Sequence, residues 1–159
     1  MKRLIPVVLL LGCSLALAQG KKGAAAADPW VGQWKLDVQK SKFHNPGPKE
    51  ETLTVDAANA EAVKYSTKGT GPDGVAYTEQ YDGKPDGQDY PLTRDGQEVA
   101  KISYHRDSDH SSSGKGSTAD GATWTETVTL SKDNKTLTVK QHFSTKGGEF
   151  DNIVVFHKV

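Results

Sequence analysis

Cysteine is almost missing from this chain. Cys13 is the only one, and it falls in an apolar N-terminal stretch expected to be removed on export. Without it the remaining chain can form no intrachain disulfide and offers no thiol chemistry. Neither sign of charge dominates, with 20 Lys and Arg against 20 Asp and Glu. Without basic clustering there is no electrostatic reason to expect nucleic acid as a partner. Apolar residues are also scarce, at 35% of the whole chain against roughly 45–50% in ordinary domains, a figure that also counts Gly. A barrel with a partly polar, solvated interior would account for the shortage, as would a loosely ordered chain.

Long apolar runs are lacking beyond Leu4 to Leu17, which is shorter than the roughly 20 residues a bilayer needs. No membrane span is therefore expected. Met1, Lys2 and Arg3 form a basic start before that run, and Ala16-Leu17-Ala18 follows it. A basic start, a short apolar run and an A-x-A end describe a secretory signal, with cleavage expected after Ala18 and a periplasmic or secreted destination. The alternative is a lipoprotein anchored through Cys13, since Leu10-Leu11-Gly12-Cys13 resembles a lipobox. Leu11 and the apolar residues after Cys13 weigh against that alternative. Residues 19–28, with QGKKGAAAA at 19–27, have no alternation and read as a flexible leader. The folded domain is expected over residues 29–159.

What the chain does have is regular punctuation. Asp-Gly pairs occur at Asp73-Gly74, Asp82-Gly83, Asp86-Gly87, Asp95-Gly96 and Asp120-Gly121, joined by Asp133-Asn134 and Gly147-Gly148. Asp-Gly suits tight hairpins because glycine accepts positive φ freely and Asp tolerates it. Between these signals lie alternating segments rich in Thr, Val and Tyr, and they predict ten strands near 33–38, 50–56, 62–68, 75–81, 88–93, 97–106, 109–117, 122–131, 135–144 and 149–158. Trp124, Glu126, Val128 and Leu130 share one face, as do Leu137, Val139, Gln141 and Phe143. A turn at Asp133-Asn134 would oppose Leu130 to Leu137, Val128 to Val139, Glu126 to Gln141 and Trp124 to Phe143. A one-residue slip would put every one of them on the wrong face. No amphipathic helix of useful length appears, and Ala57 to Val63 is too short to stand alone. The expected fold is all-β, an antiparallel up-and-down barrel of about ten strands, because closure removes the exposed edges.

The segment Trp30-Val31-Gly32-Gln33-Trp34-Lys35-Leu36 resembles the first strand of lipocalins and fatty-acid-binding proteins, the calycin barrels. Val154 to Val159 is similar to the last strand of the fatty-acid-binding group. Ser41-Lys42-Phe43 and the Thr-rich hairpin near Ser131 to Val139 resemble lipocalin-like exported bacterial proteins. The resemblance implies that Trp34 closes one end of the barrel and that Lys158 packs across it. It also implies a small amphipathic ligand. The chain departs from the families in three ways: too few residues between the first two strands for a two-helix lid, no Thr-Asp-Tyr motif, and no Arg near the C-terminus.

Tyr65, Tyr77, Glu79, Tyr81, Tyr104, Glu126, Gln141 and Asn152 lie on strand faces that also carry apolar residues. Arg94 and Arg106 are the only arginines after Arg3. Arg106 follows Ala100, Ile102 and Tyr104 on one face, which allows an inward position near a rim, although an exposed surface position is the favoured alternative. Inward, it would resemble the Arg with which fatty-acid-binding proteins hold a carboxylate. Ligand contacts are expected from Tyr65, Tyr77, Tyr104, Arg106, Trp124, Glu126 and Gln141. For Glu126 the competing role is a buried acid satisfied by Gln141 or water, since an unpaired buried charge costs several kcal/mol.

Sharper motifs fail. Gly114-Lys115-Gly116-Ser117 lacks the first Gly and the Ser or Thr of a phosphate loop. Asp107, Asp109 and Ser111 open like a calcium loop, but Ser112 and Thr118 replace the required Gly and Glu. The histidines (His44, His105, His110, His142 and His157) have no zinc-site spacing, and there is no G-x-S-x-G elbow. Neither a metal nor a cofactor is expected, and no reaction is named. The preferred function is reversible binding of a small amphipathic molecule. A filled barrel acting through loops such as Arg106 to Gly121 is the alternative, and an isomerase or lyase using Glu126 or Tyr is a third. An interior too small for a ligand would favour the filled barrel.

Overall fold

Two features make a hairpin: an alternating strand on each side and a backbone able to reverse between them. Asp95 and Gly96 take φ of 51° and 81°, the two positive values that a two-residue hairpin turn needs. They join Arg94 directly to its partner Gln97. Gly74, Gly87 and Gly121 also have positive φ. In the computed structural model, which describes residues 28–159, such turns separate ten strands. These are β1 (Gly32–Leu36), β2 (Glu50–Ala58), β3 (Val63–Thr70), β4 (Ala76–Gly83), β5 (Tyr90–Arg94), β6 (Gln97–Ser108), β7 (Ser111–Ser117), β8 (Thr123–Leu130), β9 (Thr136–Thr145) and β10 (Gly148–Lys158). The expected export segment at 1–18, Cys13 and the expected leader up to residue 27 lie outside the described residues.

Each strand pairs antiparallel with the next, and β10 returns to pair with β1, closing an up-and-down barrel. No helix forms among the described residues. The β8–β9 register places Leu130 against Leu137, Val128 against Val139, Glu126 against Gln141 and Trp124 against Phe143, as the alternation predicts. One expected turn is absent. Asp82-Gly83 lies inside β4, paired with Lys64 and Val63. A Cβ on Gly83 would lie 2.6 Å from the Tyr81 hydroxyl and 2.7 Å from the Tyr90 ring. That glycine therefore makes room for two aromatic rings and does not turn the chain.

The core is split along the barrel. At one end Trp30, Trp34, Leu36, Val55, Ala58, Leu130, Leu137 and Phe156 pack together. Further along, Tyr81, Ala100, Ile102, Tyr104 and Trp124 form a second cluster. Trp34 is fully buried. Its indole N–H donates to the Trp30 carbonyl at 3.0 Å, and Lys158 Nζ stands 4.9 Å over its ring. Lys158 Nζ also donates to the Pro29 carbonyl at 2.7 Å. This end of the barrel is thus plugged by tryptophan and capped by a cation, which attracts the negative ring face. Toward the opposite end the β1–β2 connection runs alongside β10 through paired backbone bonds of Lys42 and Ile153.

Candidate ligand cavity

Inward residues surround a cavity of about 550 Å³ that runs from Trp30 and Arg106 at the plugged end to Phe43, Glu51 and Arg94 at the other. Such a volume sits within the roughly 300–1,000 Å³ of small-molecule sites. Its wall is mostly apolar, from Leu53, Val55, Ile102, Val128, Val139 and Phe143 among others. Two polar groups interrupt it.

The first is centred on Glu126, which is 7% exposed. The Tyr104 hydroxyl donates to its Oε1 at 2.7 Å. The Trp124 indole N–H and the Gln141 amide each donate to Oε2 at 3.1 Å. Tyr65 and Tyr104 hydroxyls lie 3.3 Å apart. Since Tyr104 spends its proton on Glu126, Tyr65 is the donor in that pair. The result is a chain from Tyr65 to Tyr104 to Glu126, with three donors converging on an acceptor-only carboxylate. Burial first, and then the Glu126 charge, hold both phenols well above their ordinary pKa.

Two glycines make this arrangement possible. Tyr104, Gly114 and Glu126 occupy one cross-strand row over β6, β7 and β8. A Cβ on Gly114 would lie 2.9 Å from the Tyr104 ring and 3.0 Å from Glu126 Cγ. On Gly116 a Cβ would fall 2.0 Å from the Trp124 indole. Real Cβ atoms do not approach so closely, so β7 must be bare at these two inward positions. The Gly-Lys-Gly segment that fails as a phosphate loop is a floor over which Tyr104, Trp124 and Glu126 meet.

The second polar group joins β2, β4 and β5. Arg94 bonds Glu79 through Nε at 2.9 Å and Nη2 at 2.7 Å. Its guanidinium also lies 4.6 Å from the Tyr77 ring centroid, and the Tyr77 hydroxyl donates to Glu51 Oε2. Burial and this hydrogen bond raise the Tyr77 phenol far above its ordinary pKa. The Glu51 carboxyl is also raised, chiefly by burial, with the Tyr77 bond and the Arg94 charge opposing and the Glu79 charge assisting. A carboxyl raised in the fold favours its protonated form. Its contribution to stability is full below the unfolded value and is lost as pH rises through the folded one. Glu51→Gln keeps an acceptor for Tyr77 and removes that loss. Thermal unfolding across a pH series should show equal melting in acid, below the ordinary carboxylate range, and a higher Tm for the variant at pH 7. A difference independent of pH would refute this account.

Of the residues singled out in the sequence, Tyr65, Tyr104, Trp124, Glu126 and Gln141 come together in one cluster. Tyr77 belongs to the second cluster, with Glu51 and Arg94 as partners. Arg106 does face inward, but its guanidinium is committed. Nε, Nη1 and Nη2 donate to the carbonyls of Ser108, Ala58 and Asp109 at 2.6, 2.7 and 3.1 Å. Its plane lies 4.7 Å over Trp30, whose indole N–H also donates to the Asp109 carbonyl. Arg106 is therefore a clamp for the plugged end, placed apart from the two polar clusters. Asn152 accepts a bond from the His44 backbone N–H, and the Tyr81 hydroxyl donates to the Ile102 carbonyl. Sequence reasoning misses Glu51 and Arg94. The signal for Glu51 is present, since it alternates with Leu53 and Val55. Arg94 gives less, because the β5–β6 register shifts between Leu92 and Thr93.

A closed ten-stranded meander around a ligand-sized cavity is consistent with a calycin-like fold. No protein-family model matches the chain, and no curated protein matches it either.

Proposed function

We propose that this is an exported, lipocalin-like protein that reversibly binds a small amphipathic molecule inside its barrel. The observation that carries the reading is the cavity of about 550 Å³, apolar for most of its wall and interrupted by the Glu126 cluster. A filled barrel working through its loops would have little reason to keep such a space. The absence of a catalytic step is part of the same proposal. Glu126 already accepts three hydrogen bonds, and burial moves its phenol neighbours still further from ionising. That environment suits orientation of a ligand better than proton transfer to it.

Native mass spectrometry of the mature protein, purified gently from its host, tests the proposal. A stoichiometric small molecule released on denaturation is the expected result. Clean apo-protein, together with no thermal shift across lipids, aromatics and pigments, would sink it and turn attention to a protein partner.

A further inference from the structure

Glu51, Glu79, Arg94, Arg106 and Glu126 all line the cavity. Both cations are spent. Arg106 is held by three backbone carbonyls and the Trp30 ring at the plugged end. Arg94 forks onto Glu79 and lies on Tyr77. Among the described residues, neither Glu51 nor Glu126 forms a salt bridge: their bonds come from neutral phenol, indole and amide donors, and the Arg94 charge reaches Glu51 only from beyond contact.

Both carboxylates also keep acceptor capacity. A carboxylate offers about four lone-pair directions. Glu126 uses three, and Glu51 receives one side-chain bond, from Tyr77. The lining holds three carboxyl groups, Glu51, Glu79 and Glu126, against two committed guanidiniums, so a carboxylate-headed ligand would meet an excess of acid and no free cation. An ammonium-headed ligand would supply the missing counter-charge in a site of reduced dielectric, where Coulomb attraction is stronger than in water. The aromatic wall agrees with this sign. Tyr65, Tyr104, Trp124 and Phe143 line the cavity, and ring faces attract cations.

We propose that the cavity selects amphiphiles headed by a protonated amine over those headed by a carboxylate, with Glu51 and Glu126 as the selecting groups. The proposal rests on the binding function above and names its ligand class. It also reverses the carboxylate recognition expected from an inward Arg106.

Isothermal titration calorimetry at pH 7 with dodecylamine, dodecan-1-ol and dodecanoate separates the two ideas. Dodecylamine should bind at least about tenfold tighter than dodecanoate, a difference of about 1.4 kcal/mol, with dodecan-1-ol between them. Glu51→Gln and Glu126→Gln should each shrink that ratio, with circular dichroism confirming that both variants fold. Dodecanoate binding as tightly as the amine, or a ratio untouched by both substitutions, would overturn the amine selection and leave the binding function standing. Failure of all three compounds to bind would also overturn the amine selection, and the binding function would then be judged by native mass spectrometry and the wider panel above.

Discussion

Trp34→Ala is expected to destabilise the barrel by about 3–5 kcal/mol, the usual cost of truncating a buried tryptophan. Three losses combine. The indole is fully buried among both ends of the chain, so its removal opens a cavity lined by Leu130, Leu137 and Phe156. The Trp30 carbonyl loses its indole donor. Lys158 loses the ring beneath its ammonium, although it keeps the Pro29 carbonyl. Trp34→Phe retains much of the apolar area and the ring face. Its main loss is the hydrogen bond, so a penalty nearer about 0.5–1.5 kcal/mol is expected from that source. Lys158→Met removes the ammonium from the Trp34 ring and from the Pro29 carbonyl together and should cost about 0.5–2 kcal/mol. Urea unfolding followed by far-ultraviolet circular dichroism measures all three, with an unchanged m-value marking a true stability change. If alanine cost no more than phenylalanine, Trp34 would not be the plug described.

The strand pattern and the β8–β9 register are legible in the sequence because both depend on period-two alternation within short segments. Spacing alone assigns Trp124, Glu126, Val128 and Leu130 to one face, and their partners across the turn follow. The Glu126–Gln141 contact is legible for the same reason. The shortage of apolar residues points to a partly polar, incompletely filled interior; the cavity supplies the space, and its mostly apolar wall carries polar groups only in places.

What escapes is contact between segments distant in sequence. Alternation places Arg106 on the inner face, yet its partners are carbonyls of Ala58, Ser108 and Asp109, whose directions depend on loop geometry. Backbone carbonyls leave no trace in side-chain alternation. The pairing of Tyr77 with Glu51 crosses three strands, and Gly114 and Gly116 reveal their purpose only beside Tyr104 and Trp124. Asp82-Gly83 looks like a turn because the dipeptide is chemically suited to one, whereas ring packing by Tyr81 and Tyr90 decides the need for Gly83.

Glu126 is the second site with a large expected effect, and two substitutions there should behave very differently. Glu126→Leu preserves approximate bulk but removes the acceptor for Tyr104, Trp124 and Gln141 at once. Each buried donor left without a partner costs about 1–3 kcal/mol. Because Tyr104 can turn its proton toward Tyr65 and Gln141 can reach cavity water, the three costs should not add in full. A total near about 3 kcal/mol is expected on that basis. Glu126→Gln can instead be accommodated by reversing the hydroxyl chain. Its carbonyl oxygen would take the place of Oε2 and accept from Trp124 and Gln141. Its amide would donate to Tyr104, which would then donate to Tyr65, since phenol hydrogens rotate to suit their partners. The cost should stay below about 1 kcal/mol. Paired urea titrations distinguish the two, and the tryptophan emission spectrum reports whether Trp124 stays in place. Equal destabilisation by Leu and Gln would mean that the negative charge itself, rather than acceptor capacity, holds the cluster together. The expected inequality makes Glu126→Gln the variant in which charge is removed while the wall of the cavity survives.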